Sequence, residues 1–186
     1  MSNDGAESAV RFPWYAWHQG SEIQQGDVLF GFQLQAPVRY IDPGEDQAEA
    51  EIQEWDVVVL TQSCDIASEK VANLVLSPCY EYRRFVEGAR GGWNRTRRDD
   101  LRKGNIPGYH LLNSWEEGEN NVPLLVVDFH QLLSAPLDYV RQFARSVGER
   151  PRLQPPYREH LAQAFARFFM RVGLPVDIPK SKLAVV

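Results

Sequence analysis

The run Trp55-Asp56-Val57-Val58-Val59-Leu60-Thr61 constrains the fold more than any other stretch of the chain. Three consecutive valines disfavour a helix, where a β-branched side chain loses rotamer freedom against the preceding turn, and they suit a pleated surface. After Asp56 the run shows no polar alternation, so both of its faces demand cover. It predicts a central strand of a curled sheet that hands the next four residues, Gln62-Ser63-Cys64-Asp65, to a rim.

Other segments supply partners for that strand. Asp27-Val28-Leu29-Phe30-Gly31-Phe32-Gln33-Leu34 follows a turn glycine and reads as a first strand, with Pro37-Val38-Arg39-Tyr40 extending or re-forming it. Ala72 to Tyr80 alternates and stops near Pro78 as a neighbouring strand does. Shorter strands are expected within 107–113 and 122–130. Residues 131–147 fit either a helical face or an extended start.

Tyr157, Leu161, Phe165, Phe168 and Val172 recur at steps of four and three after Pro155-Pro156 and before Gly173 and Pro175, which predicts an amphipathic helix over 155–172. The fold class that results is mainly β with a C-terminal amphipathic α-helix, and α+β is the fallback. At 186 residues the chain suits one domain spanning 1–186. Residues 1–10 are small and polar and read as a loose terminus. Phe12-Pro13-Trp14-Tyr15-Ala16-Trp17 fits an aromatic plug over one end of the core, or a partner-binding hot spot.

Charge is unevenly spread around a net of −5. Residues 42–56 are almost purely acidic and read as a solvated loop or a short surface helix over 47–53, whereas 83–105 carry many arginines, several glycines and no apolar period, and read as an insertion. Within it, Arg90, Trp93, Arg95, Arg97, Arg98, Arg102 and Lys103, with Tyr109 beside them, have the composition of a nucleic-acid-binding patch: cations for phosphate and an aromatic for a base. Arginines that solvate a loop or answer the acidic segment account for the same residues. No run is long and apolar enough for a membrane span, and the start lacks a signal peptide's layout. With Cys64 and Cys79 as its two cysteines, the chain is expected in the cytoplasm with free thiols.

Chemistry has one obvious foothold. Thr61, Ser63, Cys64 and Asp65 collect hydroxyl, thiol and acid at the end of the central strand, and His110 or His130 would have to serve as base for a Cys64 nucleophile. The competing reading is a turn in which Ser63 and Asp65 cap backbone amides. Metal ligation lacks any Cys-x-x-Cys or His-Glu-x-x-His spacing, and Gly88 to Gly92 lacks a P-loop's Lys-Ser/Thr. No metal and no cofactor are expected.

Gly26-Asp27-Val28-Leu29, Val57 to Ser63, Leu74-Val75-Leu76-Ser77-Pro78 and Val126 to Leu133 resemble, in order, the opening strand, the paired core strands and the closing strand of PemK/MazF-like proteins. The resemblance covers 26–80 and 124 to about 172. It implies an SH3-like β-barrel with a terminal helix, in a family of dimeric toxin endoribonucleases held by antitoxins. Where that family places an arginine before the second core strand this chain has Trp55-Asp56, and where it places Thr or Ser after the proline this chain has Cys79. The resemblance thus implies a non-catalytic binding or regulatory accessory of a prokaryotic defence or toxin-antitoxin-type system. A protein, RNA or DNA would be its partner, and it could form a homodimer. The alternatives are an enzyme at Thr61 to Asp65, or a divergent ribonuclease using Arg39 or an arginine of 83–103.

Overall fold

The valine run sits where its composition demands, in the middle of the largest sheet, with Val57, Val58 and Val59 all at 0% exposure. A computed structural model describes residues 12–37, 50–88, 92–118 and 120–170. The expectations placed on residues 1–10, Val38, Arg39, Tyr40, 42–49, Arg90, Val172, Gly173 and Pro175 lie outside these. The described elements are β1 (Tyr15–His18), β2 (Val28–Pro37), β3 (Ala50–Val59), α1 (Ser63–Ala67), β4 (Asn73–Glu81), α2 (Tyr82–Gly88), α3 (Arg95–Arg102), β5 (Tyr109–Leu112), β6 (Trp115–Glu117), β7 (Asn120–Val122), β8 (Leu125–Asp128), β9 (Leu133–Pro136), α4 (Leu137–Ser146), β10 (Arg150–Leu153) and α5 (Tyr157–Phe169).

The main sheet runs β2-β3-β4-β8-β5, and β9 also pairs with β4. Strand β4 divides its length between partners: Leu76, Ser77 and Pro78 meet β3, Cys79 to Glu81 meet β8, and Asn73 to Leu76 meet β9. The β1-β10 pair is tied to the start of β2 through the Asp27–Arg152 bridge and a bond from the Leu153 amide to the Gly26 carbonyl. The protein is therefore mainly β, with a C-terminal helix, as the sequence predicts.

Strand alternation sends successive valines to different cores. Val58 joins Val28, Leu112, Val127 and Leu153 in a cluster that α5 covers with Leu161, Phe165 and Phe168. Val57 and Val59 join Leu29, Leu74 and Leu76 in a second cluster, covered by Leu137, Val140 and Ala144 of α4. Each such buried aliphatic side chain contributes about 1.5–3 kcal/mol relative to exposure. In the N-terminal aromatic cluster Tyr15 is buried, and Trp14 stacks on Tyr157 of α5 at 3.7 Å and 10°.

One expectation needs correction. Residues 50–53 are strand, part of β3, because their partners Leu34 to Pro37 on β2 complete a ladder that a solvated loop or surface helix could not. The arginine-rich 83–105 region holds α2 and α3, which pack on the sheet through Trp93 and Leu101 against Val126, with Phe85, Val86 and Ile106 around them. Its apolar residues are split between two short helices, so no single period shows. The ambiguous 131–147 region is both things at once: an extended β9 followed directly by α4.

Strand β10 is unheralded in the sequence because two of its four residues are arginines. Arg150 and Arg152 are 2% and 3% exposed and converge on Asp27, which is fully buried. Arg150 Nε and Arg152 Nη2 each lie 3.0 Å from Asp27 Oδ2, and Arg152 Nε donates to Asp27 Oδ1. Arg150 Nη1 and Nη2 and Arg152 Nη2 donate to the carbonyls of Gly20 and Glu22, and Arg152 Nη1 lies 3.5 Å from His18 Nδ1, so the cluster clamps the loop between β1 and β2.

Candidate functional site

Thr61 lies between β3 and α1, and Ser63, Cys64 and Asp65 form the first turn of α1; the hydroxyls of Thr61 and Ser63 serve the backbone. Thr61 Oγ1 accepts the Val75 amide at 2.7 Å, and Ser63 Oγ accepts the Gln25 amide at 3.1 Å. Cys64 is exposed, with its thiol 3.7 Å from Gln62 Oε1. Ser63 and Cys64 line a cavity of about 350 Å³ with Glu22, Ile23, Ile66 and Arg141, and no histidine lines it. His110 borders a different cavity, between β5 and α5, where burial and then the neighbouring His160 hold its pKa down to about 4. Ser63 and Cys64 thus share a cavity that Thr61, Asp65 and His110 do not line.

A larger concavity lies elsewhere, between the β2-β3 ladder and the α2-α3 pair, with a volume of about 1040 Å³. Its origin is a break in β-pairing. The β2-β3 register shifts between Leu29 and Phe32, leaving Phe30 and Gly31 as an irregularity of the β-bulge kind. Gly31 has φ +65°, a conformation in which a side chain would be strained, and its amide donates to Asp56 Oδ1 at 2.9 Å. That bond fixes the bulge and turns the Phe30 ring, 36% exposed, to the rim.

Opposite the bulge stands a set of aromatic rings. Phe85 lies 5.2 Å from Trp93, 5.1 Å from Tyr109 and 6.1 Å from Tyr80 between ring centroids. Arg97 sits 4.5 Å above the Trp93 ring, a cation–π contact that closes one face of the indole. The rings that line the cleft are therefore Phe30, Tyr80, Phe85 and Tyr109, with Trp93 as a wall, whereas Trp55 borders it but packs its side chain against the second core cluster. Burial and then Asp128 push the phenols of Tyr80 and Tyr109 above their ordinary range, so both keep their protons as donors.

Four carboxylates share the cleft with two guanidiniums: Glu54, Asp56, Glu81 and Asp128 against Arg84 and Arg97. Arg84 Nε lies 3.3 Å from Glu81. Asp128 Oδ1 takes both the amide of His130 at 3.0 Å and its ring Nδ1 at 2.8 Å, so the carboxylate aims the imidazole. Gly108 makes room for that ring, since a Cβ there would fall 1.9 Å from His130 Cε1.

Of the basic patch expected from the sequence, Trp93 and Arg97 belong to this cleft. Arg102 and Lys103 lie 2.8 and 2.5 Å from Asp99 and border the smaller cavity beside His110. Arg95 and Arg98 are exposed on α3. Arg90 lies outside the described residues. Among the described residues no group of three or more His, Cys, Asp or Glu is placed to hold a metal ion, and no helix is long and apolar enough to cross a membrane.

No protein-family model matches the chain, and no curated protein matches it.

Sequence reasoning missed the Phe30, Trp55, Asp56 and Tyr80 wall because those residues read as strand interior. The available signal was Gly31 inside a strand pattern, which marks a bulge or a close approach.

Proposed function

We propose that this chain is a non-catalytic binding domain, an SH3-like barrel resembling PemK/MazF-like proteins, whose cleft takes an unpaired base of a nucleic-acid partner. The carrying observation is the make-up of the cleft: the rings of Phe30, Tyr80, Phe85 and Tyr109 surrounded by acceptor carboxylates. Every base has a π-face that an aromatic ring can stack on, worth about 1–3 kcal/mol per base. Carboxylates accept from exocyclic amines, cytosine N4 above all. They also repel phosphate, so the cleft suits a base with its backbone lying outside. The family resemblance supports a cytoplasmic accessory of a prokaryotic defence or toxin-antitoxin-type system, with a homodimer as its assembly.

Fluorescence anisotropy with labelled single-stranded RNA and DNA tests the reading. Phe30→Ala, an exposed position, is expected to weaken binding about 5- to 100-fold with circular dichroism unchanged. Absence of binding to either strand type, or unchanged binding by the variant, would refute it. Capture of a protein in place of an oligonucleotide, lost on the same substitution, would reassign the cleft to a protein partner.

One observation favours a second reading, a divergent endoribonuclease. The Asp128–His130 pair is the carboxylate-oriented imidazole that a general base requires, beside a cleft that would hold RNA. Cleavage of the same RNA, abolished by His130→Ala, would establish it. Intact RNA after incubation supports binding alone.

A further inference from the structure

We infer that the cavity of about 240 Å³ between the end of α3 and α5 is a phosphate site, bordered by Arg102, Lys103, His110, His160, Gln163 and Arg167. Its size falls below the roughly 300–1,000 Å³ of pockets for organic ligands and suits a small anion. On α5, His160, Gln163 and Arg167 recur at steps of three and four, so one helical face presents all three. From the other wall come Arg102 and Lys103. Three permanent cations face one nearby carboxylate, Asp99, which already holds Arg102 and Lys103. No carboxylate lines the cavity itself. Arg167 is exposed, with no ion pair among the described residues.

The site deepens the nucleic-acid reading, and in that respect rests on it. Tyr109 borders both this cavity and the aromatic cleft, so a base in one and its own phosphate in the other are separated by a single ring. This supplies the backbone position that the cleft's carboxylates deny. It also gives α3 two roles, with Arg97 facing the cleft and Arg102 and Lys103 facing the anion.

The test uses the full chain and three probes: inorganic phosphate, cytidine and cytidine 5′-monophosphate, each followed by the imidazole NMR signals of His110 and His160 and by calorimetry. Phosphate is expected to move both histidine signals more than chloride at equal ionic strength. The monophosphate is expected to bind about tenfold or more tighter than cytidine, which is about 1.4 kcal/mol. Arg167→Glu, and separately Lys103→Gln, should remove that advantage and leave cytidine binding unchanged. Equal shifts with chloride, or an advantage that survives both substitutions, would overturn the site. Failure of cytidine to bind while phosphate still shifts the histidines removes the base cleft and keeps the anion site, so the two readings fail separately.

Discussion

Replacing Asp27 by asparagine tests how the β1-β10 pair is held to the rest of the fold. The substitution keeps shape and removes one negative charge that two buried guanidiniums share. Arg150 and Arg152 are 2% and 3% exposed, so neither can turn to water without opening β10. Three guanidinium bonds to the carboxylate lose their charge assistance, and an amide nitrogen facing either arginine makes a donor–donor contact. Breaking a buried pair by neutralising one partner costs about 3–5 kcal/mol, because the other charge stays buried. Against a total stability of about 5–15 kcal/mol for a domain, that is a large share.

Urea unfolding followed by tryptophan fluorescence reads the loss directly. With an m-value of about 2 kcal/mol/M, a loss of about 4 kcal/mol lowers the midpoint by roughly 2 M. The melting temperature falls by roughly 8–16 °C at 2–4 °C per kcal/mol. Glu87→Gln, which breaks the exposed Arg83–Glu87 pair, is the control and should move stability by less than about 1 kcal/mol. The triple change Asp27→Leu, Arg150→Leu, Arg152→Met removes all three charges and should recover part of the loss. It recovers only part, since the carbonyls of Gly20 and Glu22 lose their donors. A loss under about 1 kcal/mol for Asp27→Asn, or a triple variant no more stable than the single one, would refute the argument.

The pKa of His110, held down to about 4, makes stability pH-dependent with a definite sign. The unfolded imidazole takes its proton near the ordinary value of about 6.5 and the folded one does not, so stability is full above about 6.5 and falls as pH drops toward 4, by at most 3 kcal/mol or so. His110→Phe should flatten that part of a urea-midpoint profile; an unchanged slope would be the contrary result. Gly108→Ala places a methyl group against the His130 ring and should break the Asp128–His130 bond, seen as a loss of about 1–3 kcal/mol and displaced His130 imidazole NMR signals. Thiol titration of the native protein should label Cys64 at once and Cys79, 2% exposed with burial raising its thiol pKa, only on unfolding; two fast thiols would contradict the described packing. Leu161→Ala, at the one fully buried residue of α5, should cost about 2–5 kcal/mol in urea unfolding.

What could be read from the chain divides by the range of the interaction. Val57 to Val59 and the Leu161, Phe165, Phe168 stripe were legible because periodicity and side-chain shape act locally. The α2-α3 region was not, because Trp93 and Leu101 acquire their partner Val126 from a distant strand. Arg150 and Arg152 read as surface residues until Asp27 is brought to them from more than a hundred residues earlier in the chain. The cleft was half visible: Trp93, Arg97 and Tyr109 were marked by composition, but the wall facing them depends on a register shift that no residue type announces. Thr61 and Ser63 show the converse. Their chemistry was conspicuous in the sequence, and their oxygens cap the amides of Val75 and Gln25.

The acid at position 56 ties these strands of argument together. The Asp56 carboxylate accepts the Gly31 amide at 2.9 Å. A guanidinium has no acceptor and could not make that bond. The bulge that exposes Phe30 and shapes the cleft therefore depends on an acceptor at position 56. That fits a cleft made for a base, with phosphate sent past Tyr109 to the cations of α3 and α5.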